Sequence, residues 1–226
     1  MRERIIHEIC KTKIITIARG LEPQQVIPVS EALFDGGITL LELTFDQCNP
    51  DSWQQTADSI RTVKAHMDGR MLVGAGTVTS VELAELAAKA GAGYIISPDT
   101  DPAVIRRTRE LGMVSIPGAY TPTEAKQAHN AGADFVKLFP CTAGGPAYLK
   151  ALCAPLSQIR FLAVGGIDAD NAADFLHAGA AGVGVGGSLL NKKWIAAGEF
   201  GKITAEARRF VEQISGRKDL PRWENL

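Results

Sequence analysis

The sequence predicts a single (β/α)8 barrel over residues 1–226, with a helix before the first strand and a helical tail at the C-terminus. Eight short apolar runs alternate with stretches of helical periodicity. The runs are apolar throughout, as in parallel strands covered on both faces. Glycines that could end a helix precede four of them, at 37, 91, 132 and 179. Because 226 residues is short against the ~250 typical of this barrel, a doubly wound open sheet is the alternative.

The eight predicted strands are residues 13–18, 39–45, 71–76, 93–97, 113–118, 134–139, 160–166 and 182–187. Ile, Leu and Thr dominate the first two. Between them, Ala, Leu, Glu, Gln and Lys recur at helical spacing, most clearly at 23–37, 79–92, 121–133 and 168–180. The segments FDGGITLLEL, AKAGAGYII, HNAGADFVKL and LHAGAAGVGV repeat one helix-to-strand unit four times.

Composition excludes several classes of function. The chain is 46% hydrophobic and 22% charged with a net charge of -1, and it has no long basic cluster, so we expect no nucleic-acid partner. No apolar stretch reaches the ~18 residues of a membrane span, and the N-terminus does not resemble a signal peptide, which predicts a cytoplasmic protein. The four cysteines show no CxxC spacing, so neither disulfides nor a metal site is expected.

Two ionisable residues interrupt apolar strands. Lys137 stands in DFVKLF, where an ammonium must be paired, reach water along its stem, or lose its proton. A neutral amine in such a place is a nucleophile. Glu42 stands in LLELTF in the same way, and two barrel strands can point such side chains into one interior. A structural ion pair remains possible, but because a buried pair is costly to desolvate, a catalytic amine with an acid-base partner is the sharper hypothesis.

Polar and glycine-rich residues follow other strands, at the end of a barrel where active sites form. Glycine pairs follow the seventh and eighth strands, where backbone amides and a helix N-terminus can hold a phosphate; the candidates are Gly165, Gly166, Gly187 and the hydroxyl of Ser188. After the third strand, GAGTVTS is either a turn with Thr79 or Ser80 capping a helix or a carboxylate cradle that uses Thr77. Arg19 ends the first strand and faces either an anionic ligand or solvent.

Together these residues resemble the family of 2-keto-3-deoxy-6-phosphogluconate (KDPG) and 4-hydroxy-2-oxoglutarate (KHG) aldolases, which are class I, Schiff-base enzymes. The resemblance covers nearly the whole chain through LLELTF, GAGTV, ISP, IPGAYTPTEA, DFVKLFP and GGI…GGS in order. It implies a (β/α)8 barrel, a homotrimer, no cofactor and a phosphorylated keto-acid substrate. It implies that Lys137 forms the Schiff base, that Glu42 transfers protons, and that four further residues contact substrate: Arg19, Thr77, Phe139 and Pro98. Gly165, Gly166, Gly187 and Ser188 match the phosphate cradle.

Two departures bear on the substrate. Asp46 stands where the gluconate-type enzymes have a carboxylate-binding arginine, and Val164 stands where they have threonine. Both changes resemble the 2-keto-3-deoxy-6-phosphogalactonate (KDPGal) branch, although Asp46 could instead receive a hydroxyl or an amine of another substrate. The expected reaction is cleavage of a 2-keto-3-deoxy-6-phospho sugar acid to pyruvate and glyceraldehyde 3-phosphate. The alternatives are an aldolase for another 4-hydroxy-2-keto acid, a metal-dependent phosphosugar decarboxylase, and a non-catalytic sugar-phosphate-binding barrel.

Overall fold

Nine parallel strands, surrounded by helices, form the wall of a barrel in the computed structural model, which describes residues 1–215 of the chain. The predicted C-terminal tail beyond residue 215 lies outside the described residues. The strands are β1 (Ile14–Arg19), β2 (Leu40–Thr44), β3 (Leu72–Gly76), β4 (Tyr94–Ile96), β5 (Val114–Ile116), β6 (Gly118–Ala119), β7 (Val136–Leu138), β8 (Phe161–Val164) and β9 (Gly182–Val185). The helices are α1 (Arg2–Thr12), α2 (Pro23–Asp35), α3 (Trp53–Met67), α4 (Val81–Ala90), α5 (Pro102–Glu110), α6 (Pro122–Asn130), α7 (Gly145–Cys153), α8 (Ala172–His177), α9 (Lys192–Ala196) and α10 (Phe200–Ser215).

The sheet closes on itself through the fifth predicted strand. The strand order is β5-β4-β3-β2-β1-β9-β8-β7-β6, so the two edge strands come from one continuous segment of chain. Ile116 pairs with Ile96 on one side, and Gly118 pairs with Lys137 on the other. Between them Pro117 has no N–H to donate to a ladder, which explains why one predicted strand is divided in two. The predicted (β/α)8 barrel is therefore confirmed, and the open sheet is excluded.

The predicted helices and their ends are also present. The stretches that we predicted as helical contain α2, α4, α6 and α8. The four glycines after them all have positive φ, from 90° to 112°. In this conformation the chain leaves a helix and turns toward the next strand. Within residues 1–215, no helix is both long and apolar enough to cross a membrane.

Helix α1 covers the N-terminal end of the barrel. Its residues Ile5 and Ile9 are buried in one cluster with interior side chains such as Tyr94 and Phe135. A side chain at Gly93 would begin only 2.5 Å from the Cδ1 atom of Ile5, so the helix packs directly against the strand ends. Apolar side chains therefore fill the interior of the barrel at this end, whereas barrel active sites form at the C-terminal end of the strands.

A buried carboxylate ties α1 to the barrel. Asp134, which precedes β7, pairs with Arg2 and Arg109 and also accepts a hydrogen bond from the backbone N–H of Ser115 at 2.9 Å. Its side chain is only 4% exposed. Although Asp134 is only three residues from Lys137 in sequence, its carboxylate lies at the opposite end of the strand from the glycine loops.

We expect Asp134→Ala to lower the free energy of unfolding by about 2 kcal/mol, because it removes several charge-assisted hydrogen bonds at once. Urea denaturation would measure the change. Asp170→Ala is the matched control, since Asp170 pairs with Arg209 but is 77% exposed; we expect a change within about 0.5 kcal/mol. Equal effects of the two substitutions would contradict this role of Asp134.

Candidate active site

A cavity of about 500 Å³ opens at the C-terminal ends of the strands. Strand ends from around the barrel converge here, which is why residues far apart in sequence meet. The residues that the resemblance assigns to catalysis, substrate contact and the phosphate cradle line this one cavity: Arg19, Glu42, Thr77, Pro98, Lys137, Phe139, Gly165, Gly166, Gly187 and Ser188.

Lys137 occupies the middle of β7 and points into the barrel, while its neighbours Val136 and Leu138 face the surrounding helices. It is 8% exposed, and its Nζ lies 4.6 Å from the centre of the Phe139 ring. Burial lowers the pKa of the Lys137 amine; the negative charge of Glu42 opposes this shift, and the positive charge of Arg19 adds to it. A buried amine with a lowered pKa is neutral more often than a surface lysine and can act as a nucleophile.

Glu42 occupies the middle of β2 and is 1% exposed. Its Oε1 accepts a hydrogen bond from the Thr44 hydroxyl at 3.2 Å. Burial raises the pKa of the Glu42 carboxyl, while Lys137, Thr44 and Arg19 each lower it. Glu42 and Lys137 make no ion pair with each other or with any other residue in 1–215, so each side chain remains available to a ligand.

Two glycines of β3 leave space for the side chains of Glu42 and Tyr94. The sequence analysis did not predict this role. At Gly76, a Cβ atom would lie 1.5 Å from Oε1 of Glu42, so the carboxylate occupies the space of the absent side chain. At Gly74, a Cβ atom would lie 2.2 Å from the ring of Tyr94. Glycines two residues apart inside a strand are the signal that could have indicated a close approach on that face.

The segment after β3 caps a helix with one residue and lines the cavity with another. Ser80 caps α4, where its hydroxyl accepts from the backbone N–H of Leu83 at 3.3 Å. Thr77 lies in the cavity wall with φ 55°, and its hydroxyl oxygen accepts a hydrogen bond from Nη2 of Arg19 at 3.2 Å. Gln47 holds this turn by donating from Nε2 to the Thr77 carbonyl at 2.8 Å. The Arg19 guanidinium therefore extends along the cavity wall rather than away from it.

The two glycine loops meet on the far wall of the cavity. The amides of Gly166, Gly187 and Ser188 donate to no carbonyl or side chain within residues 1–215, which leaves three N–H groups for an anion. Gly165 and Gly166 have φ of 102° and 71°. Backbone amides grouped in this way bind anions without any charged side chain.

Two details of the phosphate-site prediction were wrong. The Ser188 hydroxyl is not a free donor, because it donates to the carbonyl of Ile167 at 2.6 Å. Nor does a helix begin directly after β9: the amides of Leu189 and Leu190 close a turn onto the Gly186 carbonyl, and α9 starts only at Lys192. The free N–H groups on this wall of the cavity thus belong to loop residues that lie outside the regular helices.

Asp46 lies outside this cavity. Its carboxylate accepts from the backbone N–H of Cys48 at 2.9 Å and lines a neighbouring cavity of about 450 Å³, and Arg19 lines both cavities. Asp46 therefore does not share a cavity wall with Lys137 and Glu42.

The cysteines lie apart from this chemistry. Within residues 1–215, all four are free thiols, and no group of three or more His, Cys, Asp and Glu side chains could hold a metal ion. Burial raises the pKa of both the Cys141 and the Cys153 thiol to about 11. At neutral pH these two thiols are therefore protonated and unreactive.

Comparison with known proteins places this geometry in a family. The family model described as KDPG and KHG aldolase matches residues 5–206. The 2-dehydro-3-deoxy-6-phosphogalactonate aldolase of Escherichia coli (strain K12) is 39% identical over 180 residues, which is 79% of this chain and 85% of the relative. A structure described as native KDPGal superposes with a TM-score of 0.81 at 35% identity, covering 90% of this chain and 94% of that one.

A second solved structure bears on the chemistry. The KDPG aldolase from Legionella pneumophila, with pyruvate captured at low pH as a covalent carbinolamine intermediate, superposes with a TM-score of 0.81 at 26% identity. The alignment covers 90% of this chain and 96% of that one. With a family model that spans most of its length, and with a buried lysine and glutamate in a barrel mouth, the chain belongs to the KDPG and KHG aldolase family.

Proposed function

We propose that this aldolase reversibly cleaves a 2-keto-3-deoxy-6-phospho sugar acid to pyruvate and glyceraldehyde 3-phosphate through a Schiff base on Lys137. The observation that carries the proposal is the meeting of Lys137 and Glu42, both buried, in one cavity with three free loop amides. The 2-dehydro-3-deoxy-6-phosphogalactonate and 2-dehydro-3-deoxy-phosphogluconate aldolases among the relatives support this substrate class.

The reaction begins at the amine. The lone pair on Nζ of Lys137 attacks the C2 ketone of the substrate, and the ketone oxygen takes up a proton to give a carbinolamine. The carbinolamine hydroxyl takes up a further proton and leaves as water, which gives an iminium whose nitrogen can accept an electron pair; hydrolysis of the final iminium releases this proton. Burial supports the first step because it raises the fraction of Lys137 that is neutral at a given pH.

Glu42 then moves the protons. Its carboxylate removes the proton from the C4 hydroxyl, the C3–C4 bond breaks, and the electron pair of that bond forms an enamine with the iminium nitrogen. Glyceraldehyde 3-phosphate leaves as the aldehyde. Protonated Glu42 returns its proton to C3, and water hydrolyses the resulting iminium to release pyruvate and free Lys137. Each proton taken up is given back within one turnover.

The other cavity residues orient the substrate. The free amides of Gly166, Gly187 and Ser188 hold the phosphate, and Arg19, hydrogen-bonded to Thr77, binds the carboxylate at the other end of the molecule. Phe139 and Pro98 contact the carbon chain between these two anchors. Because both ends are held, the C2 carbon is presented to Lys137 in a fixed orientation.

Only a few observations bear on which sugar acid is the substrate. The relative from Escherichia coli and the presence of Val164 in the cavity wall both favour the galactonate epimer. Metal-dependent decarboxylation is disfavoured because it requires several acids around the strand lysine, whereas Asp134 is held by two arginines at the other end of β7. A purely binding role leaves unexplained why Lys137 and Glu42 are both buried in the same cavity.

The proposed function is tested by incubating the protein with KDPGal, KDPG and KHG separately and measuring pyruvate release with a coupled dehydrogenase. We expect the highest kcat/KM for KDPGal and no loss of rate after treatment with EDTA. Failure to release pyruvate from any of the three would refute aldol cleavage. Pyruvate release that is lost with EDTA and restored by a divalent cation would indicate metal-dependent aldol cleavage and would refute the Schiff-base mechanism.

Arg19→Met should raise the KM for the sugar acid by about tenfold or more with a smaller change in kcat, because it removes a charge-assisted hydrogen bond to the substrate carboxylate. Steady-state kinetics measures both parameters. Lys150→Met is the control, because Lys150 is an exposed lysine of α7 that does not line the cavity. An unchanged KM for Arg19→Met would show that the guanidinium does not hold the substrate.

We also propose that the enzyme acts as a homotrimer, as the sequence resemblance implies, and in the cytoplasm, as its apolar patterning predicts. Native mass spectrometry of the purified full chain tests the assembly. A trimer that persists on dilution to working concentrations would support it, and a stable monomer with full activity would refute it.

A further inference from the structure

Tyr94 is a buried polar residue that the mechanism above does not use. It belongs to β4, its side chain is 0% exposed, and it is among the largest fully buried side chains of the described chain. Its hydroxyl has no hydrogen-bond partner among residues 1–215. A buried hydroxyl without a partner costs free energy, and phenylalanine would fill the same space without that cost.

Tyr94 lies beside Glu42, with Gly74 between them. Glu42 of β2 is in register with Gly74 of β3, and the Tyr94 ring covers Gly74 so closely that a Cβ atom there would be 2.2 Å from Cδ2 and Cε2. The two side chains also interact electrostatically, because the charge of Glu42, after burial itself, raises the pKa of the Tyr94 hydroxyl. Gly74 therefore allows an aromatic ring to lie over β3 at the level where the Glu42 side chain leaves β2.

The unpaired atoms of the two side chains are complementary. Oε2 of Glu42 is buried and, like the Tyr94 hydroxyl, has no hydrogen-bond partner among the described residues. The Tyr94 hydroxyl can donate a hydrogen bond, and Oε2 of Glu42 can accept one. Internal water molecules commonly join buried polar groups of this kind when the groups do not touch directly.

We propose that Tyr94 is a positioning residue for Glu42: its hydroxyl donates, through one internal water molecule, to Oε2 and holds the carboxylate ionised and oriented for proton transfer. The inference rests on the proposed function of Glu42. Oε1 is already held by the Thr44 hydroxyl, so the two hydrogen bonds together would fix both oxygens.

The charges around Glu42 determine what loss of this contact would do. Lys137 faces the carboxylate from β7 and Arg19 from β1, and both favour its ionised form, while burial favours the protonated form. Removal of a donated hydrogen bond shifts this balance toward the protonated form. The pH at which Glu42 becomes an effective base should therefore rise.

Tyr94→Phe tests the proposal in two half-reactions that need no aldehyde. Exchange of the pyruvate methyl protons in D2O, followed by NMR as a function of pH, depends on Glu42 as the base. Trapping of pyruvate on the protein by borohydride depends on Lys137. We expect the acidic limb of the exchange rate to move up by about one pH unit, with trapping at saturating pyruvate within about twofold of the unchanged protein.

Thr108→Val is the matched control, since Thr108 of α5 is another fully buried hydroxyl without a partner and does not line the cavity. It should leave the acidic limb in place. An acidic limb that does not move in Tyr94→Phe would overturn the inference. So would a higher urea midpoint for Tyr94→Phe, because removal of a hydroxyl that is truly unpaired stabilises the fold.

The result for the wild-type protein distinguishes failure of this inference from failure of the proposed function. If it exchanges the methyl protons and traps pyruvate, the outcome for Tyr94→Phe bears on Tyr94 alone. If the unchanged protein does neither, the Schiff-base chemistry fails, and the role of Tyr94 fails with it.

Discussion

Lys137→Ala is expected to lower kcat for sugar-acid cleavage on the order of 10⁵-fold, because Lys137 is the only group among the cavity-lining residues of 1–215 that can form an iminium with the C2 ketone. Without the iminium, no electron sink exists for the C3–C4 bond. The substitution also removes the positive charge that favours ionised Glu42, so the pKa of the Glu42 carboxyl rises further and its action as a base weakens. Single-turnover and steady-state assays of pyruvate release would measure the loss.

Two further variants complete this test: one distinguishes loss of the nucleophilic amine from loss of positive charge, and the other is a surface control. Lys137→Arg keeps a cation in the cavity but cannot supply a neutral amine, and we expect it to be as inactive as Lys137→Ala. Lys126→Ala removes an exposed lysine from α6 and should leave kcat unchanged. Circular dichroism and urea denaturation check that all three variants fold. A folded Lys137→Ala protein that retains more than a tenth of the original rate would contradict the Schiff-base assignment.

Glu42→Gln is expected to lower kcat about 10³-fold while leaving Schiff-base formation on Lys137 largely intact. Glutamine has nearly the same shape, so it still fits the space over Gly76, but it cannot accept and return a proton. The acidic limb of kcat should be lost as well. Since burial raises the pKa of Glu42, this limb lies above the ordinary value of 4.5 in the unchanged protein, and the rate rises as pH increases through it.

Borohydride trapping of pyruvate distinguishes loss of proton transfer from loss of the nucleophile. We expect Glu42→Gln to trap pyruvate and Lys137→Ala not to do so. Glu110→Gln controls for a change of charge alone, because Glu110 lies at the exposed end of α5, remote from the cavity lining. A Glu42→Gln protein that cleaves the sugar acid within tenfold of the original rate would show that another group transfers the protons.

Much of the fold follows from local signals in the sequence. The apolar runs and the glycines at the helix ends were sufficient to predict a closed parallel barrel, because each strand-helix unit has few ways to bury its apolar face. The division of the fifth strand was not predicted, although Pro117 was visible within the run. A single missing N–H interrupts a ladder without preventing closure, and only the pairing of both sides with different strands shows this.

The site was predictable where it depends on chain position alone. Lys137 and Glu42 lie in apolar strands, and side chains at the C-terminal ends of barrel strands converge, so their meeting in one cavity could be expected. The contacts of Gly76 with Glu42 and of Tyr94 with Gly74 could not, because they depend on register between strands. The orientations of Asp46 and of the Ser188 hydroxyl depend on loop geometry, which residue type does not determine.

The most direct test of the account is to incubate the folded protein with pyruvate and borohydride, then measure the intact mass and map the modified peptide. The account predicts one reduced pyruvyl adduct per chain, located on Lys137 and absent from the Lys137→Ala protein. Folded protein that gains no adduct, or that carries it on another lysine, would contradict the central role of Lys137.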